Sequence, residues 1–104
     1  MYHKSAKYLF GNDPEIAAFV KEHHLGRLLR QARKVIDQIF GEGAITKLEL
    51  VKDPEDGFTA LYCLIPVAGN WHRALRLLRR FDDLWWTAHS SEATLKLVFD
   101  VKLI

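Results

Sequence analysis

The stretch Phe58-Thr59-Ala60-Leu61-Tyr62-Cys63-Leu64-Ile65-Pro66-Val67 decides the fold. Apolar side chains fill both alternating sets, with Phe58, Ala60, Tyr62 and Leu64 on one side and Leu61, Cys63, Ile65 and Val67 on the other. Successive strand residues point to opposite faces, so a strand apolar on both belongs in the middle of a sheet, with both faces covered. Pro66 has no amide to donate and should mark the strand's end.

Upstream, Asp53-Pro54-Glu55-Asp56-Gly57 has the chemistry of a turn. Before it, Ile45 to Lys52 alternates loosely, Leu48 and Leu50 facing one way and Lys47 and Glu49 the other, which completes a hairpin. Downstream, Asn70 should cap a helix over 71–87 whose apolar face carries Ala74, Leu77, Leu78, Phe81, Leu84 and Trp85. Ala93 to Ile104 then alternates as a strand with one buried face, formed by Leu95, Leu97, Phe99, Val101 and Leu103. A strand–helix–strand crossover of this kind is right-handed and makes its two strands parallel.

The N-terminal half is helical from Pro14 to Phe40, where Gly41-Glu42-Gly43 stops it. Asn12-Asp13-Pro14-Glu15 is a helix start, with Asp13 as cap and Pro14 in the first helical position. Ile16, Phe19, Val20 and His23 share one face; Leu28, Leu29, Ala32, Val35, Ile36 and Ile39 share another, roughly opposite. One straight helix cannot bury both, so a break or bend is expected near Leu25-Gly26. The alternative is that the first half packs on a partner. Residues 1–11 read as an N-terminal arm or edge strand.

These elements predict one domain over 1–104, of α+β class: a small mixed sheet with helices packed on one face. Three strands are expected, or four in a ferredoxin-like βαββαβ order if residues 4–10 supply the first. Three is preferred, because His3-Lys4-Ser5-Ala6-Lys7 is a poor central strand.

Composition narrows the function classes. The chain has 104 residues, 49% apolar and 27% charged, with a net charge of +2, as in an ordinary globular protein. No apolar run approaches the roughly 20 residues of a membrane span, and no signal-peptide core follows the N-terminus, so a cytoplasmic protein with no membrane partner is expected. Cys63, the single cysteine, reads as a buried reduced thiol.

Two basic clusters stand out. Arg27, Arg30, Arg33 and Lys34 form one, and Arg73, Arg76, Arg79 and Arg80 the other. Such stripes neutralise phosphates, but they also make an ordinary solvated helix face, where Asp83 would pair with Arg79. The histidines offer no metal-ligand spacing: adjacent His23 and His24 diverge by about 100° on a helix. No metal, cofactor or small-molecule site is evident. Asp82 projects to the margin of an apolar face and should have a perturbed pKa. With Trp85 and a nearby histidine it is the best centre for an enzyme reading, although no catalytic signature accompanies it.

The run Arg79-Arg80-Phe81-Asp82-Asp83-Leu84-Trp85-Trp86 raises a packing problem. Neighbouring helical side chains point about 100° apart, so one tryptophan should anchor the core and the other lie at its edge or in an interface. The run Leu77 to Trp86, followed by the strand Leu95 to Val101 and preceded by the Asp53-Pro54-Glu55 turn, resembles small bacterial proteins with an Arg-Phe-Asp-x-x-Trp-Trp helix end. The resemblance spans roughly residues 44–104. It implies a bacterial, cytoplasmic α+β domain and carries over no activity and no catalytic residue.

The leading functional expectation is a protein–protein interaction module, self-associating as a homodimer, with an antitoxin-like or accessory role. Three sources of surplus apolar surface motivate it: the out-of-phase face of Ile16, Phe19, Val20 and His23, the second face of strand 58–67, and a spare tryptophan, Trp86. Nucleic-acid binding through the arginine clusters is the alternative, and an enzyme of unknown reaction comes third.

Overall fold

In the computed structural model, which describes residues 8–9, 14–55 and 57–104, the chain folds into an α+β sandwich. The elements are β1 (Tyr8–Leu9), α1 (Pro14–Glu22), α2 (Gly26–Phe40), β2 (Thr46–Lys52), β3 (Thr59–Val67), α3 (Trp71–Phe81) and β4 (Leu97–Leu103). The π-turn Asp82–Trp86, the helical turn Thr87–His89 and the 3₁₀ turn Ser90–Ala93 join α3 to β4. The expected helix cap at Asp13 and the arm at residues 1–7 lie outside the described residues.

The sheet has four strands in the order β1-β2-β3-β4. β1 runs parallel to β2, β2 antiparallel to β3, and β3 parallel to β4. The chain order is thus βαββαβ, but the ferredoxin-like expectation is corrected. In the split arrangement a strand inserts between the first two parallel strands. Here β1 and β2 are direct neighbours, and each later strand adds on the same side.

β3 is central, as its composition demanded, yet the described helices cover only one of its faces. Leu61, Cys63, Ile65 and Val67 are buried together with Leu48 of β2 and Leu97, Phe99 and Val101 of β4. Leu25 just before α2, Leu28, Leu29, Ala32 and Ile36 from α2, and Ala74 and Phe81 from α3 close this side. Pro66 lies inside β3 opposite Lys102, one residue before the strand ends. The hairpin turn is held by the Asp53 carboxylate, which accepts from the amide of Glu55 at 2.8 Å, while Gly57 takes the left-handed conformation (φ 79°).

The α1–α2 break falls where the two apolar faces required it. His24 is left-handed (φ 56°), the amide of Leu25 donates to the Val20 carbonyl at 2.9 Å, and that of His24 donates to Lys21 at 3.3 Å. These two bonds form a Schellman motif with histidine in the position usually held by glycine. Gly26 merely opens α2. The reversal swings α1 so that Ile16 enters the same core as α2.

The tryptophan problem is solved by the π-turn. The amide of Thr87 donates to the carbonyl of Asp82, five residues back rather than four. The wider turn brings both Trp85 and Trp86 over the core. Phe81, fully buried, lies 4.9 Å from Phe99 and 5.7 Å from Trp85 between ring centroids, and Trp86 meets Phe99 edge-on at 4.8 Å. Leu84, expected on the apolar face, is 61% exposed, because the extra residue of the turn rotates it outward. Leu95, expected on the buried face of the last strand, is also exposed; it sits before β4 in a left-handed pair with Thr94.

A deletion separates this π-turn from an ordinary helix. Removing Leu84 should leave a regular α-turn and cost less than about 2 kcal/mol by urea denaturation. Removing the equally exposed Leu75 rotates all that follows by about 100° and should unfold the chain. Equal damage from the two deletions would contradict the assignment.

Candidate functional site

The sandwich has two outward faces, and they differ in chemistry. The first is the uncovered face of the sheet. Along β3 it presents Ala60, Tyr62, Leu64 and Pro66, all half-buried by their neighbours, and β4 adds Val98. Exposed Val51 on β2 extends the patch, as do Ile45 and Ile104 in continuation of the alternation. All the described helices that contribute to the core pack on the opposite side.

The strand register arranges this face in rows. Lys47, Leu64 and Asp100 form one row, and Glu49, Tyr62 and Val98 the next. Charged side chains therefore flank an apolar centre, with Lys47 and Glu49 3.7 Å apart on the β2 side. The edge of β4 is blunted by its own chemistry. Leu61 donates to the Lys96 carbonyl and Ile104 to Val67, so even-numbered residues of β4 bond inward and odd-numbered amides point out. One of these, Val101, donates at 2.8 Å to the carboxylate of Asp100. One engaged outward amide, with the charges of Asp100 and Lys102 beside it, disfavours pairing of this edge with another strand.

The residues expected at an interface lie elsewhere. Ile16 is buried in the chain's own core, and Phe19 and Val20 are partly buried against it. His23 packs on Phe19 at 4.4 Å. Trp86 is half-buried against Phe99. The chain break buries Ile16 in the chain's own core, and with the π-turn it leaves Phe19, Val20, His23 and Trp86 partly covered. The second face of strand 58–67, by contrast, has no described helix over it.

The second outward face belongs to the helix layer. Arg27, Arg30 and Lys34 on α2 and Arg73, Arg76, Arg79 and Arg80 on α3 are all exposed. Arg33 is corrected out of the set, since it is buried. Its guanidinium reaches Asp37 at 2.8 Å and the Thr46 hydroxyl at 3.3 Å, tying α2 to β2. The expected Arg79–Asp83 pair does not form, and no ion pair among the described residues engages any of the seven exposed cations.

Among the described residues the titratable groups Cys63, Asp82 and His89 lie on separate elements. Burial pushes the Cys63 thiol far up, so it stays protonated and is no nucleophile. His89 stacks on Trp85 at 5.0 Å, and its Nδ1 lies 2.9 Å from Glu92 on the surface. Among the described residues no group of three or more His, Cys, Asp or Glu is placed to hold a metal ion. A shallow open cleft of about 560 Å³ between α1 and the hairpin tip is lined by Glu15, Phe19, Glu22, His23, Phe58 and Lys96, among others. No helix among the described residues is long and apolar enough to cross a membrane.

Asp82 is the perturbed group the sequence suggested. Partial burial, and after it the charge of Asp83, raises its carboxyl above the ordinary aspartate value. No hydrogen bond or ion pair from another described side chain reaches it. Folding thus favours its protonated form, a contribution present below the unfolded pKa and lost as pH rises through the raised one. Asp82→Asn should therefore be more stable than the wild type at neutral pH, the gain shrinking as pH falls through the acid range. Denaturant titrations at about pH 4 and about pH 7 would show it, and a less stable variant at pH 7 would contradict it.

Among the described residues the arrangement is a two-layer α+β sandwich with no helix over one apolar sheet face and a basic helix layer opposite. No protein-family model, curated protein or solved structure matches the chain.

Proposed function

We propose that this protein is a protein–protein interaction module that self-associates through the open face of its sheet and serves an accessory, antitoxin-like role. The observation that carries the reading is the apolar set Tyr62, Leu64 and Val98 on a face that no described helix covers. Apolar centres rimmed by charge are the anatomy of interfaces.

A second copy fits because the rows are self-complementary. A twofold axis along β3 exchanges the β2 and β4 flanks. It sets Leu64 against Leu64 and Lys47 of each copy against Asp100 of the other. Aligned sheet-on-sheet packing has this geometry. Three strands about 4.8 Å apart and about seven residues long give a face of roughly 15 by 23 Å. That is well below the ~800 Å² per partner of a standard interface, so a dimer of micromolar affinity is expected. On this reading the protein is bacterial and cytoplasmic, in keeping with its one buried thiol.

Light scattering coupled to size exclusion tests the proposal. The mass should rise towards twice the 12.0 kDa of the chain as concentration passes through the micromolar range. A constant 12.0 kDa at high concentration would refute self-association.

A further inference from the structure

We propose that the outer face of the helix layer is a second, independent binding surface for the phosphate backbone of duplex nucleic acid. The distribution of cations argues for it. All seven arginines of the chain lie on α2 and α3, while seven of its eight lysines lie elsewhere. These two helices hold eight of the fifteen cationic side chains and one of the thirteen carboxylates, leaving the remainder of the chain acidic. That single carboxylate, Asp37, is engaged by buried Arg33.

A merely solvated helix face mixes signs and pairs them at spacings of three and four residues. Here Asp82 and Asp83 follow the end of α3, and neither forms an ion pair with an arginine of the α3 stripe among the described residues. Arginine rather than lysine is also the informative choice. Its planar fork binds phosphate bidentately and is always charged, whereas solubility alone is served by either residue.

The geometry suits a duplex. Arg27 to Lys34 and Arg73 to Arg80 each span seven residues, about 10 Å of helix. Phe40 of α2 approaches Phe81 of α3 at 6.5 Å, so the helices are neighbours, and packed helices lie about 8–10 Å apart. Both stripes lie opposite their helices' buried faces and so point away from the sheet. Two cationic rows at that separation are on the scale of the ~12 Å major groove that divides the phosphate strands. Single strands are held on aromatic platforms. Residues 27–34 and 73–80 contain no tryptophan, tyrosine or phenylalanine. Binding is therefore to the backbone and independent of sequence.

The test is fluorescence anisotropy with a short DNA duplex and an RNA duplex of equal length, with polyglutamate as competitor. Four to six phosphate contacts predict that affinity falls by about 10²–10³ between about 50 and about 200 mM salt. Arg76→Gln with Arg80→Gln should weaken binding at low salt about tenfold or more and reduce the logarithmic salt slope by about two. Both side chains are exposed and outside any ion pair among described residues, so melting temperature and solution mass should not change. Binding of either duplex with this salt dependence supports the proposal. No binding at low salt, an unchanged double variant, or displacement by polyglutamate at equal charge would overturn it, the last pointing to an acidic protein partner. Solution mass reads the sheet face separately, so failure here leaves self-association standing.

Discussion

Leu64→Glu is expected to keep the protein monomeric at every concentration where the wild type dimerises, with the fold intact. Leu64 is half-buried in the single chain and lies in the middle of the row between Lys47 and Asp100. In the monomer a glutamate there stays solvated and costs little. In the twofold dimer Leu64 faces its own copy, so the substitution buries two carboxylates against each other. Desolvation and like-charge repulsion each oppose this, and a loss of at least about 100-fold in affinity follows. Light scattering reads the mass, and urea denaturation confirms that the monomer is folded. A dimer of unchanged affinity would move the interface off this face.

The second large effect lies in the core. Phe81→Ala should destabilise the fold by about 3–5 kcal/mol, lowering the melting temperature by roughly 15–30 °C for a domain of this size. Phe81 is fully buried and its ring contacts come from three elements: Phe40 on α2, Trp85 in the π-turn and Phe99 on β4. Removing it opens a cavity that those rings cannot close together, since each is fixed by a different backbone. Thermal unfolding followed by circular dichroism measures the loss. A cost below about 1 kcal/mol would mean that the aromatic cluster is not the joint between the layers.

Much of this architecture was legible in side-chain periodicity. The alternation of β2, β3 and β4, the Asp53-Pro54 turn, the Asn70 cap and the helix covering one face all follow from patterns of two and of three to four residues. The Asn70 side chain indeed accepts from the Arg73 amide at 2.9 Å. The break near Leu25 could be anticipated because two apolar faces on opposite sides of one helix cannot both be buried. Its cause could not: glycine was the evident suspect, yet His24 adopts the left-handed conformation that glycine usually supplies, with buried Leu25 following it.

The π-turn was hidden for a related reason. Angular arithmetic assumes 3.6 residues per turn, and under that assumption Trp85 and Trp86 compete for one position. The competition is itself the signal. Two adjacent large aromatics at a helix end, with Phe81 four residues before the first, favour a widened turn that buries both. The candidate sites shifted accordingly. Ile16 looks surplus only when its helix is drawn straight, and Phe19, Val20 and Trp86 prove to be partly buried against the same core. Arg33 looks like a member of a basic stripe until Asp37 and Thr46 are placed beside it. The second face of β3 survives as surplus because every described helix that joins the core packs on the other side of the sheet.

Oxidative footprinting across a concentration series tests the self-association most directly. Tyr62 sits on the open sheet face, whereas Trp71, 53% exposed, begins α3 on the helix layer. The account predicts that Tyr62 becomes protected in step with dimer mass while Trp71 stays equally reactive. Protection of Trp71 with Tyr62 unchanged would contradict it.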